Sequence, residues 1–545
     1  MQRAAVLGAA GWAFPGSLPE ALAHTRGVAV SPGGTTLEST FVRSGSGPYK
    51  RLRVGPPAPI VVRTLAAEAK RGREDRRRPL ASVVHLTDIH VIDAQSPTRV
   101  EFLDRYAYPG VPFSSAFRAQ ETLTAHVADA MVQRVNDLRR GPVTGRRFDC
   151  AVSTGDNVDN QQENETDWLL TLLDGGRLAA NSGDPTRYEG VQDDVEPYRD
   201  EHYWHPEGGP DHYKDLGFPT RPGLLPAAIR PFRATGLRTP WYTVYGNHDG
   251  LLSGNAPENP ALEAISTGPV KVVGLPPGFP LPPTGLDPAL LTLPNAPFRL
   301  VTPDPRRRFL SPQEWIDRHL ASPSRPGPTG HGLTDENRAL GTLYYTFDIG
   351  DSVLGISLDT VNRGGYAEGS IGSIQLAWLE AQLVAAAAAG RLVVLFSHHN
   401  IPTLTNLTPD ASDPDRKTAA EIEALLHLHP NVVAWVNGHS HENRIYPRPA
   451  PDGSSGFWEI LTAAHVDYPQ QGRTVELVDN RDGTLSIFAT IFEHAAPASP
   501  RGDGVLGLAS LSRELSANDP QLDVEKARGG PEDFNVELVL RNPLA

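Results

Sequence analysis

The chain carries one cysteine, Cys150, in 545 residues. That excludes an intramolecular disulfide and any cysteine-built zinc site, so a metal could be held only by His, Asp, Glu or Asn. No run of about 18 apolar residues occurs, which excludes a transmembrane helix of ordinary length. Positive charge is not in excess: 50 Lys and Arg stand against 64 Asp and Glu, a net charge of −14. A binder of nucleic-acid polymers needs a basic footprint to neutralise phosphates, so no such partner is expected. A small phosphate-bearing molecule is not excluded, because a bound metal can override an acidic average. The 51 glycines and 51 prolines stay below the roughly 25–30% combined share of low-complexity chains. A hydrophobic share of 39% is enough for a sizeable core. The length corresponds to about three or four domains, or to one large domain with insertions, and no internal repeat is present.

At the start, Arg3, an apolar stretch over 4–14 and Ala21-Leu22-Ala23 have the order of a secretory signal, so 1–23 is expected to be a signal peptide and the chain to be exported. Residues 24–80 form an N-terminal extension ending in the basic run 70–78, which reads as a solvated face. The pattern then becomes regular. Short apolar runs at 83–87, 150–154, 241–245, 353–358, 392–396 and 432–436 read as buried strands. Helical periodicity covers 116–139 and 374–389, and 457–463, 474–478 and 485–491 are further strands joined by turns. Strands alternating with helices, followed by a run of strands, predict an α/β sandwich with an antiparallel portion. The regular part, 81–499, is interrupted at about 175–240, polar and aromatic, and at about 250–341, dense in proline. Structureless loops of that length are uncommon, so both are expected to be lids or insertions. The tail, 500–545, holds a polar helix candidate and a late apolar strand at 536–540, with no assigned role.

Polar clusters sit in one kind of place. Asp88 with His90, Asp156 with Asn157, Asn247 with His248, His398, and His439 with His441 each follow an apolar strand. In α/β sheets the ligand crevice lies beyond the carboxyl ends of the strands, so the five clusters can converge. Singly, each is cheap among 18 histidines; five in order at strand ends are not. Asp, His and Asn without Cys suit Mn, Fe or Zn. A carboxylate can bridge two such ions, and two ions about 3.5–4 Å apart can activate water and clamp an in-line displacement at phosphorus.

The ordered set Asp88-x-His90, Gly155-Asp156-x-x-Asp159, Gly246-Asn247-His248-Asp249, His398 and Gly438-His439-x-His441 resembles the calcineurin-like metallophosphoesterase superfamily over about residues 81–495. Leu358-Asp359-Thr360 and the helix through Gln375–Glu380 resemble it as well. Within it, the chain is similar to large, exported bacterial members of actinobacterial type. The resemblance implies a metallophosphoesterase-type β-sandwich of two mixed sheets flanked by helices, and two divalent or mixed-valence metal ions. Asp88, His90 and His441 would hold the first ion, Asn247, His398 and His439 the second, and Asp156 both, together with a hydroxide that attacks phosphorus. His248 would face the leaving group as the catalytic imidazole and Asp159 would orient it. His399 is expected to pack instead, since neighbours on a strand point oppositely.

Departures narrow the match. Purple acid phosphatases place a tyrosine where Asp159 stands, so a tyrosinate-ligated ferric site is not expected. Ser/Thr phosphoprotein phosphatases carry an arginine and a glutamate where Asn160 and Asp249 stand, and loss of that arginine removes a bidentate phosphate clamp. The implied activity is hydrolysis of a small phosphate ester, monoester or diester. A nucleotidase or cyclic-nucleotide phosphodiesterase is the alternative, if the aromatics of 198–213 stack a base. A non-catalytic secreted metal-containing binding protein is the alternative of another class.

Overall fold

The strand Arg78–Leu86 has its last six residues buried, and the larger of two sheets assembles around it. This computed structural model describes residues 31–107, 116–280 and 287–545; the expected signal segment lies outside them. The seven-stranded sheet runs in the order Val61–Leu65, Val536–Arg541, Thr484–Glu493, Gln471–Asp479, Arg78–Leu86, Cys150–Thr154, Trp241–Val244. Its last three strands are mutually parallel, and Gln471–Asp479 is antiparallel to both of its neighbours. A six-stranded sheet has the order Tyr345–Ile349, Val353–Ser357, Leu392–Phe396, Val432–Asn437, Gly456–Leu461, Arg444–Pro449. Its four central strands are parallel, with antiparallel strands at both edges.

Parallel strands are covered on both faces, so they read as continuous apolar runs rather than as alternation. Leu392–Phe396 is the clearest case, buried at all five positions. One face, with Val394 and Phe396, joins Val83, Val152, Val436 and Ile460 in a cluster drawn from both sheets. The other face, with Val393 and Leu395, packs under Leu379 and Leu383 of the helix Ser373–Ala388 and under Ile422 and Leu426 of Ala419–His427. Helices Thr124–Leu138 and Glu163–Asp174 cover the larger sheet through residues such as Met131, Val135, Leu169 and Leu172. Each such aliphatic side chain contributes about 1.5–3 kcal/mol on full burial.

Three departures from the sequence pattern matter for the site. The sheet continues past residues 81 and 499: Val536–Arg541 pairs with Thr484–Glu493 and then with Val61–Leu65. This covers what would otherwise be a long open edge. The two interruptions are not structureless. They contain short elements such as Gly176–Leu178 paired with Phe232–Ala234, and the helices Pro260–Thr267 and Pro312–Ala321. Finally, the helix expected from 116 begins only at Thr124, after a single 3₁₀ turn at Glu121–Leu123. The side chains of Phe117 and Arg118 are used elsewhere, as described below, and tertiary contacts override helical periodicity there.

Candidate metal centre

The loops after the three parallel strands of the larger sheet are laced together by their backbones. Asp88 N–H donates to the Gly155 carbonyl (3.1 Å), His90 N–H to Asp156 (2.9 Å) and Val91 N–H to Asn157 (3.0 Å). The Asp249 carboxylate then ties the next loop in. It accepts from the N–H groups of Gly246 (2.8 Å), Asn157 (2.9 Å) and Val158 (3.0 Å), and from Asn157 Nδ2 (3.0 Å). From the other sheet, His439 N–H donates to both Asp88 oxygens at 3.1 Å. Only glycine fits at 438 in this approach, because a Cβ would lie 1.9 Å from Thr87 Oγ1 and 2.3 Å from Asp88 Oδ2. Asp88, His90, Asp156, His439 and His441 all take positive φ, between 44° and 68°. Left-handed backbone at a non-glycine residue costs on the order of 1–3 kcal/mol and persists only where the surroundings impose it.

The side chains predicted for the first ion come together. Asp88, His90 and His441 have donor atoms within 4.8 Å of one another. His90 Nδ1 is hydrogen-bonded to Asp159 Oδ1 (3.0 Å), which leaves Nε2 buried without a partner and 3.7 Å from Asp156 Oδ2. His441 Nδ1 is bonded to Asp467 Oδ2 (2.7 Å), with Nε2 3.3 Å from Asp88 Oδ1.

Most of the second set is gathered beside it. His398 Nδ1 donates to the Thr154 carbonyl (2.9 Å), and its Nε2 lies 3.1 Å from Asp156 Oδ2 and 3.2 Å from His439 Nδ1. Asn247 Nδ2 donates to the Gly254 carbonyl (3.0 Å), which leaves Oδ1 buried and unpartnered. Asp156 thus lies near imidazoles of both sets. Buried polar atoms are nearly always paired. The two orphans here, His90 Nε2 and Asn247 Oδ1, are a nitrogen and an oxygen donor of the type that borderline divalent ions take. The residues present fit metal ions of this class.

Electrostatics say the same. Burial opposes ionisation of Asp88 and Asp156, yet both carboxyls are held below their ordinary value, Asp88 chiefly by His441 and Asp156 by His398. Burial likewise lowers His398 and His441, but the adjoining carboxylates win and raise them to about 9 and about 10, from an ordinary 6.5. His439 goes the other way, to about 3, through burial and the neighbouring His398 charge. Without metal, protons on His398 and His441 therefore balance the acids at neutral pH. A ligating nitrogen must give up its proton, so loading at pH 7.5 should release roughly two protons, and metal affinity should rise with pH toward 9–10. Calorimetric titration in two buffers of different ionisation enthalpy measures this; no proton release would contradict the ligand assignment.

His248 lies against this cluster, its ring edge-on to His90 at 4.6 Å between centroids. Asp159 meets His248 through its backbone rather than through its carboxylate. His248 Nδ1 donates to the Asp159 backbone carbonyl (2.6 Å), whereas the carboxylate serves His90 and Arg99 and stays 3.9 Å from the His248 ring. Asn157, predicted only as a neighbour of Asp156, holds its loop to Asp249 and to the Val244 carbonyl. His399 lies close to His439, with ring centroids 4.4 Å apart. Its nitrogens are already engaged, Nδ1 with Thr360 Oγ1 and Nε2 with the Ala367 carbonyl, both at 2.8 Å.

Four contributors carry no local motif: Arg99, Arg118, Asp467 and Gly254. Gly254 has φ +67°, and a Cβ on it would stand 2.3 Å from His248 Cδ2 and 2.5 Å from both His248 Nε2 and Asn247 Nδ2. Gly254→Ala should displace the imidazole, and a 1 Å misplacement can cost on the order of 10²-fold in kcat for the activity proposed below. Steady-state kinetics on variant protein with an unchanged melting transition checks it, and a wild-type kcat would refute the contact.

The aromatics of the first insertion turn inward. Tyr203, Trp204 and Tyr213 are buried with Phe117 and Phe218 against Leu508, Leu511 and Leu515 of the helix Val505–Ser516. These three rings pack and have no free face for a base. Among the described residues no helix is long and apolar enough to cross a membrane. Neither a protein-family model nor a curated protein sequence matches the chain. Among solved structures it is similar to a dimetal phosphatase from Danio rerio, at 11% identity and a TM-score of 0.35, over 76% of this chain and all of that one.

Proposed function

We propose that the chain is a dinuclear-metal hydrolase of small phosphoric esters, built on a metallophosphoesterase-type sandwich of the two sheets. The observation that carries this reading is Asp156: one buried carboxylate set near two groups of imidazoles and carboxylates, with His248 at its side. Asp88, His90 and His441 would hold one ion, and Asn247, His398 and His439 the other. When bound, the pair supplies the positive charge that lowers the pKa of water and neutralises phosphoryl oxygens.

The rest falls to the chain's own groups. Asp159's carbonyl fixes the His248 tautomer, with the hydrogen on Nδ1 and Nε2 free to take up and deliver a proton. Burial lowers the His248 pKa below its ordinary value, so the protonated ring gives its proton readily to a departing alkoxide. Of the aromatics in 198–213 on which the nucleotidase alternative rests, Tyr203, Trp204 and Tyr213 are buried, and Tyr198 is half-buried with the Arg299 guanidinium over its ring.

Metal analysis paired with turnover of nitrophenyl phosphate and bis(nitrophenyl) phosphate tests the reading. The expected result is hydrolysis of at least one ester, abolished by chelation and restored by Mn or Zn. The ratio of the two rates separates monoesterase from diesterase. Fully loaded protein that turns over neither would instead be a binding protein.

A further inference from the structure

The two ligand groups differ in what stands behind their histidines. His441 Nδ1 is bonded to Asp467 Oδ2 (2.7 Å), and Arg118 grips that carboxylate with Nε on Oδ1 (2.7 Å) and Nη2 on Oδ2 (3.1 Å). His90 Nδ1 is bonded to Asp159 Oδ1 (3.0 Å), and Arg99 Nη1 holds Oδ2 of the same carboxylate (2.7 Å). The two relays are tied to each other. Glu121 Oε2 accepts from Arg99 Nη2 (2.8 Å) and from the Arg118 backbone N–H (3.4 Å), while the Ala116 carbonyl takes a second bond from Arg99 Nη2 (2.9 Å). Residues 116–121, which the sequence pattern assigns to a helix, are spent on this arrangement. On the other side, His398 is backed by the uncharged Thr154 carbonyl, and His439 Nδ1 faces His398.

The chemistry of such an arrangement is directional. A carboxylate accepting from Nδ1–H fixes the tautomer, aims Nε2 and raises its basicity as a ligand. Asp467 and Asp159 are 5% and 1% exposed beside two further buried acids, Asp88 and Asp156. A guanidinium supplies the compensating charge, and its planar fork also sets the plane of the carboxylate. We propose that Arg118 and Arg99 are positioning residues for the first ligand set, acting through Asp467 on His441 and through Asp159 on His90. This rests on the two-ion reading above.

The test uses metal-stripped full-length protein titrated with manganese(II) alone and followed by calorimetry, so the readout is binding rather than turnover. His441→Ala and His398→Ala identify which binding step belongs to which set. Asp467→Asn should then weaken the His441-dependent step about 10–100-fold, the usual cost of losing a ligand's orienting partner. Arg118→Gln should weaken the same step, and Arg118→Lys should recover part of the loss. The His398-dependent step should move less, because His398 is backed by the Thr154 carbonyl rather than by Asp467 and meets the first set only through the shared Asp156. Should Asp467→Asn strand Arg118 and unfold the protein, the Arg118→Gln/Asp467→Asn pair keeps the charge balanced and reports on the same step.

Equal weakening of both steps, or of neither, overturns the proposal. Binding of only one ion by the wild-type chain would overturn the two-ion reading instead, and the relay is still read on a His441-dependent step. No manganese binding at all rejects both.

Discussion

Asp156→Ala should lower the metal content sharply and abolish the proposed esterase activity. The carboxylate lies 3.1 Å from His398 Nε2 and 3.7 Å from His90 Nε2, and its other oxygen accepts the His248 N–H at 2.8 Å. Removing it takes a shared anion from both ligand groups and frees the backbone that presents His248. A remnant ion held by Asp88, His90 and His441 is compatible with the geometry, so metal content should fall below one per chain at micromolar free metal rather than to zero. Elemental analysis after gel filtration, alongside the nitrophenyl assays, gives the answer. Two ions retained per chain would refute the shared-ligand assignment outright.

His248→Ala should separate metal binding from chemistry. The ring hangs from the Asp159 carbonyl, and no ligand side chain's hydrogen bond runs through it. Metal content should therefore hold while kcat falls, the pattern of an interaction made in the transition state. General acid catalysis typically contributes about 10²–10⁴-fold, so a loss in that range is expected for an alkyl ester with a poor leaving group. A nitrophenolate departs with little need of a proton and should lose much less. Equal losses on the two esters would reject proton donation and leave His248 a positioning or electrostatic role. The companion variant Asp159→Asn behaves differently from a weaker His248 mutant. It keeps the backbone carbonyl that holds His248 and removes the carboxylate that holds His90. Its loss should appear in metal affinity, independent of the leaving group.

That contrast marks the boundary of what the sequence shows. The strand ends were legible because a buried parallel strand is an apolar run, and an Asp, His or Asn directly after it has few structural reasons to be there. Asp88, Asp156, Asn247, His398, His439 and His441 follow from that logic, and the structure gathers them. The assignment of Asp159 to His248 did not follow from the residues alone. Whether a residue acts through its carboxylate or its carbonyl depends on a turn conformation, here the left-handed Asp156 and the loop behind it. Asp467 and Arg118 were illegible for another reason. They lie 349 residues apart, both in connecting segments outside any strand or helix, and neither sits in a pattern; only the tertiary fold joins them. The strands at 61–65 and 536–541 are short, and nothing local says that each completes the other's sheet edge. The segment 116–120 has helical periodicity, and tertiary hydrogen bonds override it.

The left-handed ligand residues have a consequence for how such a chain can change over time. Asp88, His90, Asp156, His439 and His441 each hold a backbone conformation that glycine adopts freely and asparagine tolerates. Selection for thermal endurance alone would favour glycine at these positions, and each such replacement would erase a metal donor. Stability and metal binding are thus opposed at the same five sites, so the pressure to keep the donors must come from catalysis or from the ions themselves. An engineer seeking a hardier variant has little to gain there and more to gain on the outer strands, where the backbone carries no such conflict.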